Sequence, residues 1–208
     1  MIRHHLNDAL LMGYAAGTLP EAFSLVAASH VSLCDDCRAR LGAFEVLGGA
    51  VLDEGSVAMT AGAEACMMRS AEDIPAPARA RAGALPGPLA DYVGGGLQAV
   101  KWRPLGMGVR QAILPTSRSA SARLLYIPAG VAVPDHGHRG VELTLVLQGA
   151  FRDTTDRFGP GDIEIAGEDL QHVPTAEAGS DCVCLAATDA RLRFKDLLPR
   201  LLQPLFRI

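Results

Sequence analysis

Gly130-Val-Ala-Val-Pro-Asp-His136-Gly-His138-Arg-Gly-Val-Glu142-Leu-Thr-Leu-Val-Leu-Gln-Gly149 is the stretch on which the fold turns. Two imidazoles two apart, with a carboxylate four further on, have the spacing of metal ligands. In a strand His136 and His138 point to the same face, because side chains alternate. Strand-like runs flank the segment, Ala122 to Ile127 before it and Leu143 to Leu147 after it, so Glu142 heads the second strand. Gly130 and Gly149 supply turns that no side chain obstructs. Further on, Gly159-Pro160-Gly161-Asp162 leads into a short strand, Ile163 to Ala166, and His172 stands before Val173-Pro174. Three histidines and one glutamate, drawn from two hairpins, can converge inside a small barrel.

This pattern resembles the two motifs of the cupin family. The first motif matches at every fixed position. The second matches in its Pro160-Gly161 turn and in His172, with Pro174 standing where many cupins carry other residues. The resemblance implies a β-barrel whose metal is held by His136, His138, Glu142 and His172. The competing reading is three surface histidines on a loop-rich sheet protein, and it leaves the agreement of spacing, glycines and second histidine to chance.

Bulk properties narrow the rest. The chain has 208 residues, 49% of them apolar, enough for one or two packed domains. No apolar run approaches the length of a membrane span. The start, Met1-Ile2-Arg3-His4-His5-Leu6, lacks the apolar stretch of a signal peptide, and a cytoplasmic address is expected. The net charge is -4, without a Lys/Arg block, and aromatics make up 5%. Direct nucleic-acid binding needs a basic footprint or a stacking platform, and neither is present. Five cysteines, Cys34, Cys37, Cys66, Cys182 and Cys184, form an odd set that suggests thiols and metal ligands over a disulfide framework.

The first seventy residues carry helical patterning. Asn7 or Asp8 can cap a helix running to Ala16, with Gly17 as its stop. Thr18-Leu19-Pro20-Glu21 then reads as a capping box for a second helix bearing Phe23, Val26, Ala27 and His30. A third helix is expected over Cys37 to Gly48, with Asp35-Asp36 favouring its N-terminus, and a fourth over about Ser56 to Arg69. So small a bundle needs a staple. His30 and Cys34 are spaced i,i+4, which puts them on one helix face, and Cys37 follows two residues later. With His5 as the best candidate for a fourth ligand, the His2Cys2 set suits tetrahedral zinc. The alternative is a redox-active CxxC pair, although redox motifs of the thioredoxin type follow a strand and none precedes Cys34. His4 is expected to be an ordinary exposed side chain.

The His30-x-x-x-Cys34-x-x-Cys37 pattern with an N-terminal histidine is similar to the zinc-containing anti-sigma domain. The wider sequence, from His5 through Tyr14-Ala-Ala-Gly-Thr-Leu19 to Cys37-Arg-Ala-Arg40, resembles ChrR-type anti-sigma factors. Those proteins join this domain to a C-terminal cupin-like domain, the order found here. The resemblance implies zinc held by His5, His30, Cys34 and Cys37. It also implies a 1:1 complex with an extracytoplasmic-function sigma factor, which the helices clamp away from RNA polymerase. The C-terminal domain would carry a second divalent metal, zinc first, with Mn, Fe or Ni as alternatives, and would respond to singlet oxygen or related oxidants.

The expected architecture is therefore a two-domain α + all-β chain. A zinc-stapled bundle of short helices over 1–70 and a Pro/Ala-rich linker over 71–88 precede a cupin β-barrel over 89–193 and a helical tail over 194–208. The Cys66-Met67-Met68 end of the fourth helix suits core or partner surface equally. The barrel strands are expected at Leu97 to Trp102, Val109 to Leu114, Leu124 to Ile127, Leu143 to Leu147, Phe151 to Asp153, Ile163 to Ile165 and Cys182 to Ala186. Trp102 reads as core or rim packing. Cys182 and Cys184 share a strand face at about 7 Å between Cα atoms. They are either two small core residues or an oxidant-sensitive pair near the barrel metal, and the ChrR resemblance favours the second. No catalytic residue stands out. Two other functions compete with the anti-sigma reading: a metal-dependent cupin enzyme of dioxygenase or isomerase type, and a zinc-stapled interaction module.

Overall fold

The structure, a computed structural model, describes residues 1–55 and 85–195. The expected helix over 56–69, with Cys66, Met67 and Met68, most of the expected linker, and the tail from 196 onward lie outside the described residues.

The N-terminal helices begin where local chemistry dictates, with one exception. Helix α1 spans Asp8–Ala15, capped by the Asn7 side chain accepting from the Leu10 N–H at 2.9 Å, and ends before Gly17 at φ 66°. Helix α2 spans Glu21–Leu33, and here the expected capping box does not form. Pro20 occupies the cap without a side-chain bond. Thr18 donates to the Gly13 carbonyl, and Glu21 accepts from the Tyr92 hydroxyl and the Ser117 N–H, each at 2.6 Å. A tertiary partner has taken the carboxylate from its local one. Helix α3 spans Asp35–Glu54, longer at both ends than expected. Cys34 is not on the α2 face. Its extended backbone (φ -112°, ψ 109°) forms the joint between α2 and α3, where its sulfur caps α3 by accepting from the Cys37 N–H at 3.5 Å.

A further helix, α4 over Gly87–Val93, occupies the junction expected to be linker and barrel start. Prolines open it and Gly94 closes it at φ 75°. The strand expected over Leu97 to Trp102 is also absent. A single 3-10 turn over Leu97–Ala99 takes its place, and the first strand begins at Arg103.

Twelve strands follow: β1 Arg103–Gly106, β2 Val109–Leu114, β3 Ser121–Ile127, β4 His136–Gly137, β5 Glu142–Gln148, β6 Phe151–Arg152, β7 Arg157–Phe158, β8 Ile163–Ala166, β9 Gln171–His172, β10 Thr175–Ala176, β11 Cys182–Thr188 and β12 Arg193–Phe194. They form a six-stranded antiparallel sheet, β1-β2-β3-β11-β5-β8, and two three-stranded sheets, β10-β6-β7 and β12-β4-β9. The described strands thus make a cupin-type all-β domain of three sheets, without a closed barrel ladder. The short strands that carry the metal-type histidines escaped the sequence reading because two residues show no alternation.

The six-stranded sheet is covered on both faces, which explains the unbroken apolar run of β11, buried at every position. Ala122, Leu124, Leu143, Leu145, Leu185 and Ala187 share one core with α2 and with Leu6, Leu11 and Leu41 of the helical region. On the other face Ile127, Val146, Phe151, Phe158, Cys182 and Cys184 form a second core. The helices are therefore stabilised by the sheet as well as by any staple of their own. Trp102 packs partly buried against the first core, as expected. Among the described residues no helix is long and apolar enough to cross a membrane.

Candidate metal centres

Four side chains meet where the N-terminal arm crosses the α2–α3 joint. The ligand atoms of His5, His30, Cys34 and Cys37 all lie within 4.8 Å of one another. His5 comes from the arm, His30 from the last turn of α2, Cys34 from the joint and Cys37 from the first turn of α3. His5 Nδ1 is 3.2 Å from Cys34 Sγ and 3.7 Å from Cys37 Sγ, and His30 Nε2 is 3.3 Å from Cys37 Sγ. A tetrahedron with metal–ligand bonds of about 2.0–2.3 Å has edges of about 3.3–3.8 Å, so the donor set fits zinc in chemistry and size.

The electrostatics agree. In the metal-free protein burial pulls His30 down to about 4, so it is neutral and ready to ligate. Burial pushes the Cys37 thiol up, so metal binding there must displace a proton. His30 Nδ1 donates to the Gly161 carbonyl at 3.0 Å, leaving the Nε2 lone pair for the cluster. His4 is not the bystander it was expected to be. Its ring lies 4.4 Å from that of Phe158, and its Nε2 is 3.0 Å from Asp156.

The second cluster lies within the strand domain. His136 on β4 pairs in register with His172 on β9, and His138 follows β4 directly. Their ligand atoms form a second group within 4.8 Å. His138 Nε2 and His172 Nε2 face each other at 3.2 Å. His136 Nδ1 donates to the Pro134 carbonyl at 2.8 Å. His172 Nδ1 donates to Asp153 Oδ2 at 2.7 Å and faces Glu164 Oε1 at 3.3 Å. The bond to Asp153 turns His172 Nε2 toward His138 Nε2, at a separation that fits two ligands of one metal ion. The buried His138 Nδ1 has no hydrogen-bond partner. Glu142 heads β5 as expected but stands at the edge of the histidine group. One of its oxygens accepts from Thr144 at 3.1 Å, and the other is 3.9 Å from His138 Nδ1.

Asp153 and Glu164 were missed by sequence reasoning. Burial presses His172 down, but Glu164 and Asp153 together outweigh it and raise the imidazole to about 8. Burial raises Glu164 to about 7, with Asp153 adding and His172 opposing. Glu164 had one signal, a lone carboxylate between Ile163 and Ile165 in a strand. Asp153 had none beyond its turn, where it also accepts from the Thr155 and Asp156 N–H groups. Beside the cluster lies a cavity of about 440 Å³, lined by Leu125, Val133 and Phe151 with His136, Glu142 and Cys184.

Cys182 and Cys184 share a face of β11 with sulfurs 3.5 Å apart, and both are buried. A hydrogen bond with Cys182 and burial push the Cys184 thiol well above its ordinary range.

Comparison with known proteins places this geometry. A family model for the ChrR cupin-like domain matches residues 93–191. A protein called anti-sigma-E factor ChrR, from Cereibacter sphaeroides, is 64% identical over 211 residues, covering 100% of this chain and 99% of its own. A crystal structure of Rhodobacter sphaeroides SigE in complex with the anti-sigma ChrR is similar, with a TM-score of 0.78 and 63% identity over 91% of this chain and 100% of the matched chain.

Proposed function

The chain belongs to the ChrR family of anti-sigma factors, and we propose that it binds an extracytoplasmic-function sigma factor 1:1 through its N-terminal helices. The observations that carry this reading are the full-length relationship to an anti-sigma-E factor ChrR and the similarity to a structure of SigE in complex with the anti-sigma ChrR. Membership of a regulator family also supports binding over turnover as the role of the cupin domain.

The helical region has the means. Zinc, once bound, would tie four ligands from three segments, His5, His30, Cys34 and Cys37, and so hold the arm, α2 and α3 in one arrangement. Beyond that staple α3 projects Val46, Leu47, Val51 and Leu52, between 62% and 76% exposed. Apolar side chains exposed together on one helix suit a partner's apolar groove.

The cupin domain would be the sensor. His136, His138 and His172, with Glu142 at hand, would hold a second divalent metal, zinc first, which when bound would supply a Lewis-acidic centre for reaction with an oxygen species. Release of sigma in response to singlet oxygen or related oxidants would follow if reaction at this centre, or at the Cys182/Cys184 pair, shifts how the two halves pack. A coupling of about 3 kcal/mol is enough to change affinity by over a hundredfold.

The test is co-expression of the full chain with an extracytoplasmic-function sigma factor from the same genome. A 1:1 complex is expected on size exclusion, with zinc in the same peak. It should be lost when Cys34 and Cys37 become Ser. Ala substitution of His136, His138, Glu142 and His172 should leave the complex but abolish oxidant-driven release, and release that persists would remove the sensory role.

A further inference from the structure

We propose that the Gly159–Asp162 turn of the cupin domain positions both histidines of the N-terminal zinc site, so that the site is assembled by two halves of the chain and not by the helices alone. The proposal rests on the zinc reading above and goes beyond it by assigning an outer shell.

Asp162 is buried, and its carboxylate takes its hydrogen bonds from backbone donors, with the His4 ring Nδ1 3.6 Å from Oδ2. Oδ1 accepts from the Arg3 N–H at 2.6 Å and the His4 N–H at 3.0 Å, while Oδ2 accepts from the Gly159 N–H at 2.8 Å. The Ile163 N–H then donates to the His4 carbonyl at 3.3 Å. These bonds hold the arm on both sides of His4, and the next residue is the candidate ligand His5. On the other side of the turn, the Gly161 carbonyl accepts from His30 Nδ1. The helices thus supply both thiolates, and the cupin turn orients both imidazoles.

Shape fits the same role. Gly161 has φ +87°, and a Cβ there would lie 2.7 Å from the Ile2 side chain, so the arm lies directly on the turn. A carboxylate that accepts two consecutive backbone N–H groups from a segment 159 and 158 residues away is a clasp between distant parts of the chain, not a local turn device. The turn also continues straight into β8, whose Glu164 faces His172 of the second cluster. Only Ile163 therefore stands between Asp162, which holds the arm, and Glu164, which touches the cupin centre. That gives the cupin domain a short mechanical route to the zinc ligands.

The experiment uses the full chain loaded with Co(II). Among the described residues only the N-terminal site pairs thiolates with histidines, so the thiolate-to-cobalt absorption reports that site. Its decay against excess EDTA is followed. Asp162→Ala should lose the band at least tenfold faster than wild type, and Asp162→Asn, which keeps an acceptor, should fall between. Glu177→Ala is the control. It removes the pairing with Arg152 and Arg157 on the strand domain without touching the arm, and should stay within twofold of wild type. Loss rates for both Asp162 variants within twofold of wild type would overturn the proposal. A second measurement needs no variant: in the zinc-loaded wild-type chain the Arg3 and His4 amides should exchange at least a hundredfold more slowly than in a free peptide, and free-peptide rates would overturn it. A wild-type chain with no thiolate-to-cobalt band would remove the zinc reading and this proposal together, whereas a normal band with unchanged loss rates removes this one alone.

Discussion

His30 and Gly161 stand 131 residues apart in the chain and 3.0 Å apart in space, with the imidazole Nδ1 donating to the glycine carbonyl. One imidazole therefore reads both halves of the molecule. It is neutral through burial, its Nε2 lies 3.3 Å from Cys37 Sγ, and it is held by the cupin turn as well as by its own helix.

That burial gives the metal-free chain a pH dependence with a defined sign. The folded imidazole titrates near 4, below its ordinary 6.5. Between those values the unfolded chain binds the extra proton. The contribution of His30 is therefore fully present above about pH 6.5 and is lost as pH falls toward 4, by up to about 3 kcal/mol. Urea unfolding of the stripped protein should show the midpoint falling over this window. His30→Gln, neutral throughout, should flatten that part of the profile, and parallel profiles for the two chains would refute the assignment.

Asp153 should matter to the cupin metal through His172. It fixes the Nδ1 proton of His172 at 2.7 Å, which leaves Nε2 for ligation. Asp153→Asn keeps an acceptor for the turn amides but loses the charge. We expect metal affinity at the cupin site to fall about 10- to 100-fold, measured by competition with a chelator, with zinc in the N-terminal site unchanged. Equal affinity would mean that Glu164 alone orients His172.

The α3 face is open to direct challenge. Leu47 and Val51 are 62% and 71% exposed, so replacing either with an acid costs the free protein within about 0.5 kcal/mol. In the complex the same change buries a charge against a partner. Leu47→Glu or Val51→Asp should therefore weaken sigma binding tenfold or more, about 1.4 kcal/mol, with melting temperature nearly unchanged. Full binding by both variants would place the sigma interface elsewhere.

Legibility in the sequence followed the range of the interactions. The metal-type residues were readable because ligand chemistry demands both residue type and spacing: His136, His138 and His172 converge, as do His5, His30, Cys34 and Cys37. Long strands were readable from apolar runs. Glu21 shows what was not. Its capping signature was sound, yet Tyr92 and Ser117, far along the chain, took the carboxylate. The same holds for Asp162, which the sequence presented as a turn residue and the fold uses as a clasp. Helix α4 was hidden because Pro86 and Pro88 suit a linker and a helix start alike.

Cys182 and Cys184 bring their sulfurs to 3.5 Å on one face of β11, yet the fold shields them. Each is at most 1% exposed, and the Cys184 thiol is held well above its ordinary range by its neighbour and by burial. A thiolate is the reactive form, so the folded pair should be inert. Iodoacetamide should label neither residue in the native, metal-loaded chain, and labelling should rise with urea in step with unfolding. Labelling should also rise when His136 and His138 become Ala, if loss of the cupin metal loosens the cavity that Cys184 lines beside His136. In that case the metal centre acts first and the thiols follow it. Rapid alkylation of Cys184 in the intact native protein would reverse that order and make the thiol pair the primary target of oxidants.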